Sequence, residues 1–311
     1  MLTGPPDDFE RVTAALRDLQ GDRRLFTVRC YDSFQDANSP FRHAPSAPTD
    51  FVRYAHECRP LDLVLQYRSA SADVEGYLSF LSSRIQRYAR LLYSVQITEE
   101  PNFVDGPDVI DGPYPEVARA LVEGVVEAKR LLRSLGRPQV KVGFNSTPTF
   151  GPGADFWTGL SAAGTEFLDS LDYVGLDFFP DVFRAVAPDG EPGDLASSVR
   201  GVFQAMRSDW LPKAGIPESI PIYVCEHGWP TNQGRSEDRQ ARVLDCTIRT
   251  IYDNRVQLNL GAYSLFALRD VALRTPDNVD NPFSFFGIMT ADYQRKLAFE
   301  TYRELIASLG T

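Results

Sequence analysis

Short, nearly unbroken apolar runs alternate with longer stretches of helical periodicity along the whole chain. The runs cover residues 25–31, 61–67, 93–98, 140–145, 173–179, 222–226 and 261–267. Each is almost free of polar alternation, as a strand covered on both faces requires. Between them, apolar positions recur every three to four residues over 7–19, 50–59, 74–92, 115–135, 159–171, 194–210, 237–254 and 297–308. That is the period of amphipathic helices. Ser236, just ahead of Glu237 and Asp238, supplies an N-cap for the helix over 237–254.

Strand and helix alternating at this pitch predict βαβ units and a parallel sheet. A doubly wound open sheet is opposed by the lack of GxGxxG after the first run and of GxxxxGK[ST] anywhere. Polar residues instead stand at the carboxyl ends of many runs: Tyr31, Arg68, Glu100, Asn145, Asp177, Glu226 and Arg269. A (β/α)8 TIM barrel builds its site from such positions. With no linker, repeat or low-complexity tract, residues 1–311 read as one barrel domain. Only seven runs are found and a helix comes first, so strand one is either upstream of Met1 or missing, leaving the barrel open there.

Composition narrows the partners. The chain of 311 residues is 43% hydrophobic and carries a formal net charge of −10. Clustered Lys and Arg are needed to hold a phosphate backbone, so nucleic acid is not expected. No basic, apolar leader opens the sequence and no run of eighteen apolar residues occurs, so the expectation is a cytoplasmic protein with no membrane span. Cys30, Cys58, Cys225 and Cys246 show no CxxC spacing and are expected as reduced, buried thiols. His43, His56 and His227 offer no ligand spacing, so neither metal nor cofactor is expected.

Two acidic positions carry the candidate chemistry. In YSVQITEEPN an apolar strand ends on Glu99 and Glu100, where unpaired charges would cost several kcal/mol. In IYVCEHGWPT the strand ends on Glu226, three strand–helix units later. On a barrel the two would face each other across the mouth, an arrangement suited to glycoside cleavage by one protonated and one ionised carboxyl.

ITEEPN resembles the Asn-Glu-Pro signature that ends the fourth barrel strand of clan A retaining glycoside hydrolases. VCEHGWPT resembles their nucleophile strand, as written in endoglucanase-like and galactanase-like families. DYVGLDFFP and YSLFALRD, with the closing helix, extend the likeness from about Leu25 to the end. The resemblance implies Glu226 as nucleophile, Glu100 as general acid/base, and retention by double displacement with carboxyls about 5 Å apart. It also implies that Arg29, at the end of its strand, braces the nucleophile; a plain ion pair inside the barrel mouth uses the same contact.

Three positions depart from the pattern. Glu99 replaces the usual Asn, Phe179 a tyrosine that touches the nucleophile, and Phe266 the usual Trp platform. With Asp177 nearby, Glu99 would make the mouth acidic enough for a cationic ligand or an amino sugar, or else Arg29 or Arg68 neutralises it. Tyr31, Arg68, Asn145 and Asp177 are expected around a small-molecule or oligosaccharide substrate. Trp229 is expected to stack on a sugar, and His227 to touch ligand or serve only as structure. Two rival readings are a glycosidase-derived barrel running another acid/base reaction in small-molecule biosynthesis, and a non-catalytic carbohydrate-binding barrel.

Overall fold

The computed structural model describes residues 6–23, 25–38, 47–106, 109–149, 155–182, 194–232, 234–271 and 280–310. Seven strands are present: β1 (Val28–Gln35), β2 (Leu61–Arg68), β3 (Leu92–Ile97), β4 (Lys141–Phe144), β5 (Tyr173–Asp177), β6 (Ile222–His227) and β7 (Leu260–Leu265). They follow chain order in one sheet, and β1 through β5 pair in parallel. This is an α/β, TIM-barrel-like fold, as the alternation predicts. No eighth strand occurs among the described residues. β1 and β7, at the two ends of the order, are half-buried over most of their length, whereas β2 and β5 are buried at every residue.

The main helices are α1 (Phe9–Gln20), α2 (Val74–Tyr88), α3 (Val117–Ser134), α4 (Asp155–Leu160), α5 (Thr165–Leu168), α6 (Leu195–Ala205), α7 (Leu211–Lys213), α8 (Glu237–Asn254) and α9 (Leu297–Leu309). Side-chain caps set four of their starts. Asp8 accepts from the N–H groups of Glu10 and Arg11, Asp73 from Gly76, Asp194 from Ser197, and Ser236 from Arg239. Two expected helices are corrected. The stretch 50–59 forms only a 3-10 turn, Phe51–Tyr54, because His56 and Arg59 bond each other's backbone instead of continuing it. The stretch 159–171 is interrupted at Gly164, whose φ of +83° leaves the helical region. Two cysteines also differ from expectation. Cys58 is exposed in the turn between His56 and Arg59, and Cys246 is half-buried on α8.

The chain forms two compact units, one of Leu25–Asp177 with Ala205–Tyr223, the other of Met1–Arg24, Phe178–Gln204 and Val224–Thr311. In the first unit, β strands pack under α2 and α3. Strands β4 and β5 approach so closely that a Cβ at Gly143 would lie 2.4 Å from the Tyr173 carbonyl oxygen. In the second unit α9 packs against α1 and α8. There the buried Lys296 ammonium bonds Asp270 Oδ1 at 2.7 Å and Thr231 Oγ1 at 2.8 Å. Among the described residues no helix is long and apolar enough to cross a membrane.

Candidate functional site

In the first unit the site grows from the end of β3. Thr98 and Glu100 both adopt left-handed backbone, with φ of +61° and +47°. Non-glycine residues are held there only when their surroundings over-determine the conformation. Those surroundings are visible. The Glu100 N–H donates to Asn145 Oδ1 at 2.8 Å, and the Glu99 N–H to Asp111 Oδ2 at 2.8 Å. Asp111 N–H donates back to the Glu99 carbonyl at 2.8 Å, while the same carboxylate oxygen accepts from the Tyr67 N–H at 2.7 Å. Asp111 thus ties the end of β2 to the end of β3.

The Glu99 side chain is buried and held by acids and amides. Gln96 Nε2 donates to its Oε2 at 2.7 Å. Burial pushes its carboxyl above the usual carboxylate range, against the opposing pull of Arg29 and of hydrogen bonds with Asp177, Gln96 and Asn145. A carboxyl raised in this way holds its proton more readily than one in water. Asn145 Nδ2 also donates to Asp177.

Arg29 lies at 3.9 Å from Glu99, but its shorter bonds go to Asp62 at 2.7 Å and to Gln96 Oε1 at 2.6 Å. Expected at a strand end, Arg29 is in fact the second residue of β1, paired in register with Asp62. Strand β1 starts and ends later than the apolar run suggested, which puts Arg29 a layer below the mouth. Tyr31 Oη accepts from Arg29 Nε at 2.8 Å. Arg68 does end β2, and its guanidinium donates to the Val109 carbonyl.

In the second unit Glu226, His227 and Trp229 follow one another along β6 and its exit. Glu226 is buried to 9% exposure. His227 alternates to the other side, where its Nδ1 meets Tyr263 Oη at 2.6 Å. Burial pushes its pKa down to about 3, which keeps the imidazole neutral, and its Nε2 is buried without a hydrogen-bond partner. Trp229 is fully buried, with the guanidiniums of Arg239 and Arg235 at 5.2 and 5.6 Å from its ring. The stacking role expected of it is therefore replaced by a packing one. Gly228 has no alternative: a Cβ there would lie 1.8 Å from the Phe266 carbonyl oxygen. Phe179, Phe266 and Phe286 form an edge-to-face cluster with centroids 5.4 to 5.9 Å apart. The peptide between Phe266 and Ala267 is cis.

The His227 geometry has a pH signature. An unfolded histidine titrates near ~6.5, so between that value and about 3 the unfolded chain binds more protons than the folded one. Stability supplied by neutral His227 is present above that window and falls as pH drops through it. The imidazole nitrogens of His227 are expected to keep neutral NMR shifts from pH 8 down to 5. Tyr263→Phe is expected to cost about 1 kcal/mol in denaturant unfolding. A His227 midpoint near the ordinary value would contradict the assignment.

Gln96, Asp111 and Tyr263 were not singled out from sequence. Gln96 left a trace, a lone amide inside an apolar strand. Asp111 and Tyr263 left none, because their partners are remote in sequence.

No family model matches the chain, and no curated protein does. Solved structures do. A GH2 β-galacturonidase from Eisenbergiella tayi bound to galacturonate superposes with TM-score 0.61 at 12% identity, covering 98% of this chain and 48% of its own. A family 39 glycoside hydrolase from Bacteroides cellulosilyticus gives 0.61 at 15%, covering 98% and 62%. A Faecalibacterium prausnitzii β-glucuronidase gives 0.59 at 15%, covering 98% and 46%. The chain spans about half the length of the β-galacturonidase and the β-glucuronidase. At these identities the likeness concerns the fold, which this chain shares with solved glycoside hydrolases.

Proposed function

We propose that the chain is a glycoside hydrolase working by retention, with Glu226 as nucleophile and Glu100 as general acid/base. The observation that carries this reading is the end of β3. Glu100 follows a buried strand in left-handed backbone, and its amide is fixed by Asn145, itself at the end of β4. Strain of this kind is kept where a side chain must be aimed. The fold shared with solved glycoside hydrolases and the resemblance of the two glutamate motifs support the same assignment.

In the first step the Glu226 carboxylate attacks the anomeric carbon, and the Glu100 proton passes to the departing glycosidic oxygen. In the second step water attacks the anomeric carbon, Glu100 takes its proton, and the Glu226 carboxylate leaves. No metal or cofactor is required by either step.

One observation favours a second reading. Glu99, where the resembled families carry Asn, is a buried carboxyl whose pKa burial raises above the usual range. An acid in that position would suit a glycosidase-derived barrel with different acid/base chemistry. Mass spectrometry after incubation with a panel of 2-deoxy-2-fluoro glycosyl fluorides separates the two. The panel should include uronic acid members, since solved neighbours bind galacturonate or coumarin-3-O-glucuronide. A stable glycosyl adduct mapped to Glu226 is expected. Folded protein with no adduct from any member would turn the assignment to the second reading.

A further inference from the structure

Two nitrogens of Arg239 and one of Trp229, neighbours in the second unit, are buried donors without partners. Arg239, near the start of α8, has a side chain only 3% exposed. Its Nη2 donates to Asp181 Oδ2 at 2.7 Å, while Nε and Nη1 have no partner. Trp229, whose ring centroid lies 5.2 Å from the Arg239 guanidinium carbon, has an indole Nε1–H that is likewise buried and unpartnered. Leaving such groups unsatisfied costs about 1–3 kcal/mol each, and more where the donor is charged. These three donors go unmet, and the Oε1 of the adjacent Gln240 is itself buried without a partner.

The surrounding groups define what kind of acceptor fits. Arg235, half-buried, brings a second guanidinium to 5.6 Å from the same ring, with its terminal nitrogens donating to Asn232 Oδ1 and the Val182 carbonyl at 3.2 and 2.8 Å. Burial and the nearby Arg239 charge hold Arg235 below its usual value, while Asp181 opposes them. Gln240 spends its amide nitrogen on the Trp229 and Gly287 carbonyls, at 2.7 and 3.1 Å. Glu237 and Asp238 open α8 but are exposed, and Asp238 is paired with Arg242. Charge-assisted bonds to an oxyanion satisfy such donors better than neutral acceptors do.

We propose that Arg239 and Trp229 form an oxyanion-binding site, with the Arg235 guanidinium adding positive charge beside it, that takes a carboxylate or phosphate group. If the anion is the substrate's own carboxylate, as in a uronic acid, the site also rests on the glycoside hydrolase reading. If it is a free anion, it does not.

The test follows the three tryptophan indole N–H resonances of the 15N-labelled full chain, assigned through bonds. Sodium glucuronate, inorganic phosphate and, as neutral control, glucose are titrated at constant ionic strength. A saturable shift of the Trp229 resonance with glucuronate or phosphate, absent with glucose, is expected. The Arg239→Met variant should weaken that binding at least about tenfold. Should it fail to fold, Arg239→Lys, which keeps the charge but loses the planar fork, should weaken it by less.

Response to glucuronate alone assigns the site to a substrate carboxylate, and response to phosphate alone assigns it to a free anion. A Trp229 resonance indifferent to both anions at tens of millimolar overturns the site. Adduct formation at Glu226 is read separately, so an unshifted Trp229 with labelled Glu226 rejects the anion site while leaving the glycosidase intact. A shifted Trp229 without any adduct does the reverse.

Discussion

Glu226→Gln is expected to lower kcat on the best aryl glycoside by about 10⁴-fold or more, because the amide cannot form the glycosyl ester on which both steps depend. Glu100→Gln should behave differently. With a leaving group as acidic as dinitrophenol, departure needs no proton, so the first step should survive and the glycosyl-enzyme should accumulate. With an alkyl leaving group, loss of the acid should cost roughly 10²–10⁴-fold. Steady-state kinetics across leaving groups, with intact mass taken during turnover, checks both. Glu226→Gln retaining a tenth of wild-type activity would sink the nucleophile assignment. A Glu100→Gln penalty independent of leaving group would remove the acid role.

The Glu99→Asn variant completes that comparison. It introduces the residue the resembled families carry and removes a buried carboxyl that accepts from Gln96 Nε2. If Glu99 serves only the local network, the amide should replace it with little change in substrate preference.

The order of elements was legible because burial on both faces of a parallel sheet forces continuous apolar runs, and all seven runs became strands. Edges were less legible. Strand β1 slid toward its carboxyl end because pairing with β2 extends through Gln35 and Arg68, a long-range constraint invisible in the run itself. That slip put Arg29 near the start of β1, in contact with Asp62 and Gln96 and 3.9 Å from Glu99.

The site was legible as a set of strand-end residues but not as a network. Sequence suggested that an arginine neutralises Glu99. In the fold Arg29 does reach Glu99, at 3.9 Å, but it is shared with Asp62 at 2.7 Å, and burial still holds the Glu99 carboxyl above its usual range. The reading of Trp229 failed for a similar reason. Its place three residues after Glu226 said nothing of the two arginines near its ring, one of which arrives on α8.

Asp111 is the position where a single substitution should most damage the first unit without touching a proposed catalytic group. Its carboxylate accepts from the Tyr67 and Glu99 amides, at 2.7 and 2.8 Å, in a site from which water is excluded. Asp111→Ala leaves both amides unsatisfied, at about 1–3 kcal/mol each. The thermal midpoint should then fall by roughly 5–15 °C at the usual scaling for chains of this size. Asp111→Asn retains an acceptor oxygen. Burial, with Glu99 adding to it, pushes the Asp111 carboxyl well above the usual carboxylate range, against the pull of Arg68 and the two amides.

An acid whose folded pKa is raised holds its proton more tightly folded than unfolded, so its contribution is full at low pH. That contribution is lost as pH climbs from the ordinary carboxylate value toward the raised one. Asp111→Asn, permanently neutral, should therefore cost under about 1 kcal/mol in acid and flatten the pH dependence of stability above it. Thermal unfolding of both variants between pH 4 and 8 decides. An asparagine variant as damaged as the alanine one at every pH would mean that the charge, and not the acceptor geometry, holds the ends of β2 and β3 together.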